Sequence, residues 1–167
     1  MKSLLIICMF AFFGCVENDN RGYKVKVGEM VPEFSLTLMD GTILNNESIK
    51  GQVTVLQFTA SWCSVCRKEM PHLEKEVWQR FKDQDFKLIG IDLEETVEQT
   101  QKLIDQTGVT YPIGIDTDRS IFQAFTLPKA GVTRNIVIDR EGKIVFLTRL
   151  FEAKEFNEMI EVINKEL

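Results

Sequence analysis

The sequence predicts an α/β domain, a mixed central sheet flanked by helices on both faces. Three observations predict it. Apolar stretches of strand length alternate with segments of helical period. The last two strand candidates flank a tight turn and so run antiparallel, while the earlier ones are separated by helical segments. The composition is that of a folded domain, 44% hydrophobic and 27% charged over 167 residues, which is room for one domain with appendages.

Residues 34–38 and 42–44 are short apolar stretches around Asp40-Gly41, a turn pair, and predict an N-terminal β-hairpin. Residues 53–58 (VTVLQF) read as a mostly apolar strand. From residue 64 to about 81, Met70, Leu73, Val77 and Phe81 recur at spacings of three, four and four, which predicts a helix facing a core. Residues 86–91 form another strand, and residues 94–107 suit a helix ended by Gly108. Residues 136–138 and 144–147 flank Arg140-Glu141-Gly142, a tight hairpin. Phe156, Met159, Ile160 and Ile163 share one face of a closing helix. The expected order is ββ-β-α-β-α-(β)-β-β-α, without internal repeats.

The first residues do not belong to this fold. Lys2 is a short basic start, and residues 4–13 are an unbroken apolar run. That run spans about half a bilayer as a helix and has the length of a signal-peptide core. Phe12-Phe13-Gly14-Cys15 resembles a bacterial lipobox, with Phe12 where Leu is usual. The resemblance implies cleavage before Cys15 and a diacylglycerol anchor on it. Plain secretion with cleavage nearby and an uncleaved anchor are the alternatives. The expected organisation is a signal peptide at 1–14, a lipid-anchored polar tether at 15–26 and one domain at 27–167.

Net charge of −5 and a pI near 5.0 argue against a nucleic-acid partner, which calls for a basic face. One histidine excludes a His-rich metal site. Four cysteines are too few for a disulfide scaffold. Cys8 leaves with the leader and Cys15 carries lipid, so Cys63 and Cys66 remain for chemistry, in a compartment where disulfides persist.

Trp62-Cys63-Ser64-Val65-Cys66 lies where the strand of residues 53–58 turns into the long helix. Cys63 at the helix start meets unpaired N–H groups and the positive end of the macrodipole, which favour thiolate over thiol. Cys66 lies one turn on, within disulfide reach. The thiolate is the attacking species in disulfide exchange, so the pair offers a nucleophile and a resolving partner. Two blander readings compete. Half a zinc site lacks its other ligands, since only His72 is left. A purely structural disulfide would close a tiny loop and constrain little of the unfolded chain. No metal and no cofactor beyond the dithiol is expected.

The stretch Val27-Gly28-Glu29-Met30-Val31-Pro32-Glu33-Phe34, then Asp40-Gly41, then residues 58–71 (FTASWCSVCRKEMP) resembles the TlpA/ResA-type thioredoxin-like reductases of the redoxin (AhpC/TSA) group. Tyr111-Pro112-Ile113 and Asp116-Thr117-Asp118 also look like that family's central stretch. The resemblance runs from about Val27 to the C-terminus. It implies a thioredoxin fold with an N-terminal β-hairpin and a central insertion. It also implies extracytoplasmic exchange with protein thiols and disulfides, re-reduction by a membrane dithiol donor, and a monomer facing the periplasm. Pro71 matches the proline that kinks the family's active-site helix.

Glu69 matches a family glutamate placed near the buried thiol to assist proton transfer; the bland reading is a solvated side chain beside Arg67 and Lys68. Gln57 stands where thioredoxins keep a buried aspartate, and a neutral amide cannot act as that base. His72 reads as a partly exposed helix residue rather than a catalyst. Trp62, Val132 and Thr133 are expected at the substrate groove, Thr133 in the place of the family's cis-proline. A non-proline cis peptide costs about 2.5–4 kcal/mol, so the Val132–Thr133 bond is expected to be trans.

Three functions follow in order of fit. The first is a lipid-anchored thiol–disulfide oxidoreductase in which Cys63 attacks and Cys66 resolves. The second is a peroxiredoxin-like peroxidase with Cys63 oxidised to a sulfenic acid; the Pro and Thr that peroxiredoxins carry seven and three residues earlier are Leu56 and Ala60 here, with Thr59 one residue off. The third is a copper-delivery module like the Sco proteins, which use a wider cysteine spacing and a distant histidine.

Overall fold

The computed structural model describes residues 21–167. The expected signal peptide, Cys15 and the first half of the tether lie outside the described residues. β1 (Ser35–Thr37) and β2 (Ile43–Asn45) pair antiparallel, with Leu36 opposite Leu44. α1 (Asn46–Ile49) opens on a reciprocal cap between Asn45 and Ser48. β3 (Val53–Thr59) is buried throughout. α2 (Ser64–His72) continues through a π-helical stretch, Leu73–Trp78, into α3 (Gln79–Phe81). Then come β4 (Phe86–Leu93), α4 (Val97–Thr107), β5 (Ile113–Asp116), α5 (Ser120–Phe125), β6 (Arg134–Ile138), β7 (Ile144–Leu147) and α6 (Ala153–Glu166).

The main sheet has the order β5-β4-β3-β6-β7. β3 runs parallel to β4 and antiparallel to β6, so the sheet is mixed, as the sequence predicts. β5 adds parallel to β4, and β7 adds antiparallel to β6. Val53 and Val55 of β3 pack with Met70, Leu73, Val77, Phe81, Met159 and Ile163 from the α2–α3 segment and α6. Leu56 and Phe58 serve the other core with Leu36, Leu44, Phe122 and Phe125. The Phe58 ring meets Phe122 at 5.1 Å and Phe125 at 5.5 Å between centroids. Full burial of one such ring contributes about 1.5–3 kcal/mol. The N-terminal hairpin lies against β5, where Leu38 bridges to Gly114. No helix among the described residues is long and apolar enough to cross a membrane.

Four elements differ from expectation, the first being α1, a four-residue helix absent from the predicted order. The helix predicted over residues 64–81 is divided, because Pro71 has no N–H to return to the preceding turn and the backbone widens after it. α5 was not foreseen. It is six residues long, and its first N–H groups are satisfied from a distance, Ile121 and Phe122 donating to the Asp116 carboxylate at 3.3 and 2.8 Å. α4 begins at Val97, three residues late, behind a reciprocal Thr96–Gln99 cap, and ends as expected on left-handed Gly108.

The domain also begins earlier than position 27. Tyr23 and Val25, assigned to the tether from sequence, are buried. Lys24 N–H donates to Phe125 O at 2.9 Å, and Gly22 O accepts from Leu127 N–H at 2.9 Å. Buried Arg134 lies over the Tyr23 ring at 4.4 Å and donates to Arg21 O at 2.9 Å and Gly131 O at 2.8 Å. The alternation of Tyr23 and Val25 with exposed Lys24 and Lys26 is too short, next to a polar tail, to register as a strand pattern.

Candidate active site

β3 delivers the chain to the loop Ala60–Trp62 with its side chains already fixed by the sheet. Cys63 N–H closes a turn on Ala60 O at 3.0 Å. Glu95 clamps the loop from the end of β4, its Oε1 accepting from Ser61 N–H at 3.2 Å and Ser61 Oγ at 2.7 Å. The Arg67 guanidinium holds Ser61 O from the other side. α2 then starts, with Cys63 as its N-cap and Cys63 Sγ accepting from Cys66 N–H at 3.1 Å. Cys63 and Cys66 form a disulfide with Cα atoms 5.3 Å apart. Cys63 is 7% exposed and Cys66 is fully buried, while the preceding Trp62 is 67% exposed. Cys63 is therefore the more exposed of the two, and it sits at the end of α2 toward which the helix's first N–H groups point.

Thr133 lies directly against the pair. Its Oγ1 is 3.0 Å from Cys66 Sγ and 3.4 Å from Cys63 Sγ, and Val132 is buried ahead of it. The expected trans bond between Val132 and Thr133 is overturned: the peptide is cis. The sequence argument weighed the local preference of an isolated peptide. Here Thr133 is enclosed on every side, its side chain by the two sulfurs and its carbonyl by Leu150 N–H at 3.1 Å.

Glu69 is not a solvated side chain; it is 1% exposed. The strand register explains its surroundings. Gln57 of β3 and Asn135 of β6 are directly opposed, and both amides reach up to the carboxylate on α2. Gln57 Nε2 donates to Glu69 Oε2 at 3.1 Å and Asn135 Nδ2 to Oε1 at 2.8 Å. Tyr111 OH donates in turn to Gln57 Oε1 at 2.7 Å. Burial pushes the Glu69 carboxyl up to about 7, against the lowering effect of the Asn135 and Gln57 hydrogen bonds. Thr148 Oγ1 accepts from Asn135 N–H and Nδ2, each at 3.0 Å, and Tyr23 OH donates to Thr148 O at 2.6 Å. On the neighbouring strand, burial and repulsion from Glu95 push the Asp92 carboxyl up to about 6, with Thr100 Oγ1 donating to it at 2.7 Å.

His72 pairs with Glu76 Oε1 at 2.7 Å and lies against the Phe151 ring, half-exposed. Thr59 turns its hydroxyl to Met70 Sδ at 3.5 Å. The sequence thus names Cys63, Cys66, Trp62, Glu69, Val132 and Thr133, and the structure gathers the cysteines with Thr133, buries Val132 ahead of it and sets Glu69 one turn behind Cys66. It does not name Asn135, Tyr111, Thr148 or Glu95 as site residues. Asn135 had a signal: an amide in the middle of a β-strand is disfavoured unless its side chain has work inside.

Comparison with known proteins agrees with this geometry. The model of the AhpC/TSA family matches residues 27–147. The thiol-disulfide oxidoreductase ResA of Bacillus anthracis is 28% identical over 122 residues, 73% of this chain and 69% of that one. The solution structure of a candidate protein disulfide isomerase from Bacteroides thetaiotaomicron superposes with a TM-score of 0.84 at 52% identity, covering 87% of this chain and 92% of that one. The thioredoxin domain of a thiol-disulfide oxidoreductase from Bacteroides vulgatus shares the fold, with a TM-score of 0.72 at 24% identity over 84% of this chain and 99% of that one.

Proposed function

The chain belongs to the AhpC/TSA family, and from that premise we propose that it is a lipid-anchored, extracytoplasmic reductase of protein disulfides. It is a thiol–disulfide oxidoreductase of the thioredoxin superfamily with Cys63 and Cys66 as its redox pair. The observation that carries the reading is the placement of Cys63 as N-cap of α2, with Cys66 N–H on its sulfur and Cys66 buried behind. The Cys63 thiolate attacks one sulfur of a substrate disulfide, the other substrate sulfur leaves, and a mixed disulfide forms. Cys66 then gives its proton to Glu69 and attacks Cys63 Sγ. The two substrate thiolates take up two protons, the one held by Glu69 and one from water, so the substrate departs as a dithiol and the Cys63–Cys66 disulfide is left, two electrons having passed to substrate. A membrane dithiol restores the pair, and no cofactor enters the cycle. The substrate segment meets the pair beside exposed Trp62, with Val132 and Thr133 buried beneath the contact.

Insulin reduction by the purified protein tests this. We expect turnover with dithiothreitol as donor, and its loss in Cys63→Ser. A Cys66→Ala protein should accumulate the mixed disulfide and so capture the physiological substrate. Peroxide consumption in place of insulin reduction would favour the peroxidase. The site argues against that reaction, since the hydroxyl of Thr59 is committed to Met70. For the anchor, Cys15→Ala should move the protein from the membrane fraction to the soluble one; an unchanged membrane fraction would reject lipid attachment at that position.

A further inference from the structure

A buried thiolate needs a hydrogen-bond donor, and the two sulfurs differ in what supplies it. Cys63 has the Cys66 N–H at 3.1 Å and the end of α2. Cys66 is fully buried at the third position of α2, and its own N–H is spent on Cys63 Sγ. What reaches its sulfur is the Thr133 hydroxyl at 3.0 Å. In the disulfide neither sulfur carries a proton, so the hydroxyl is the donor in this contact. We propose that the Thr133 hydroxyl is a catalytic hydrogen-bond donor to the Cys66 thiolate, supplying from a side chain what proline at this position cannot.

The proposal rests on the disulfide-reductase reading and assigns Thr133 a place in both halves of its cycle. When the reducing dithiol attacks Cys63 Sγ, the Cys63–Cys66 bond breaks and Cys66 leaves with the electron pair. The hydroxyl 3.0 Å away receives that charge without moving. When the pair reduces a substrate, the Cys66 thiol gives its proton to Glu69, and the same hydrogen bond holds the thiolate until it attacks the mixed disulfide. A contact of this kind strengthens as its acceptor becomes an anion. It therefore favours the leaving and attacking forms of Cys66 over the protonated thiol. The distances assign the effect to Cys66 first, since Cys63 Sγ is farther from the hydroxyl, at 3.4 Å.

The test uses Thr133→Val, which removes the hydroxyl and keeps the shape, with Thr133→Ala as a second hydroxyl-free protein and Thr133→Ser as the rescue. Release of the mixed disulfide with a synthetic peptide disulfide is followed by stopped flow from pH 5 to 10, and reduction of the Cys63–Cys66 bond by dithiothreitol is timed alongside. Thr133→Val and Thr133→Ala should both slow release about tenfold at pH 7 and move its pH midpoint upward by about one unit. Thr133→Ser should stay within about twofold of the parent. Release at the parent rate and midpoint in the hydroxyl-free proteins would overturn the proposal, as would a Thr133→Ser protein as slow as Thr133→Val. Should Thr133→Val not fold, the Ala–Ser pair decides by the same criteria. A parent protein inert toward both reagents at every pH would instead reject the oxidoreductase reading itself.

Discussion

Glu69 shows how a single side chain couples the redox pair to the stability of the fold. Its carboxyl is raised to about 7 in the folded protein, from 4.5 when unfolded, because burial outweighs the amide hydrogen bonds. The folded state thus holds this proton more tightly than the unfolded one. Its contribution to stability is full below pH 4.5, declines between 4.5 and 7, and is gone above 7, for a total of roughly 3 kcal/mol. Glu69→Gln should therefore be more stable than the parent at pH 8, with the advantage shrinking toward pH 5; urea denaturation at the two pH values checks this. The unpartnered Asn135 Oδ1 lets that amide turn over to accept from the new one. At the cysteines, iodoacetamide should label Cys63 of the reduced protein well before Cys66, as peptide mapping of a time course would show; equal labelling would contradict their exposures. The cysteines were legible in the sequence because spacing alone joins them. Glu69 was legible as a position, but not as buried, because two charged neighbours, Arg67 and Lys68, hid the fact that it points the other way.

Secondary elements were readable where a period runs long enough to be seen. α4 and α6 carry apolar residues on one face and were found; α1 and α5, with four and six residues, are shorter than two turns, and their ends are held by residues that a periodicity search does not weigh. The contact between the hairpin and β5 was equally hidden, since it depends on what a residue lacks. A Cβ on Gly114 would come within 2.6 Å of Leu36 Cγ and 2.7 Å of Thr37 O. Gly114→Ala should cost about 1–3 kcal/mol in urea denaturation while leaving exchange with dithiothreitol near the parent rate, because the hairpin packs on the far edge strand from Cys63. Thr96→Ala, which removes the reciprocal cap of α4, should cost about 1 kcal/mol by the same measurement.

For the molecule as a whole, the mixed character of the sheet followed from which strands are joined by helices and which by a tight turn, whereas the spatial order of its strands and the packing of residues 21–26 needed the tertiary structure. A protein beginning at residue 27 lacks the buried Tyr23 and Val25 and leaves Arg134 without its ring and its Arg21 carbonyl. It should be less stable than one beginning at residue 21 by at least about 3 kcal/mol in chemical denaturation; equal midpoints would return residues 21–26 to the tether. The same docking has a consequence for movement. Arg134, which fastens Arg21, follows directly on Thr133 at the redox pair, so the leash joins the domain on its working side. From Cys15 to Arg21 is six residue steps, a span of at most about 20 Å. Under the proposed lipid anchor at Cys15 and the proposed membrane donor, the dithiol sweeps a shallow cap just above one leaflet, and its search for that donor becomes a lateral one in two dimensions.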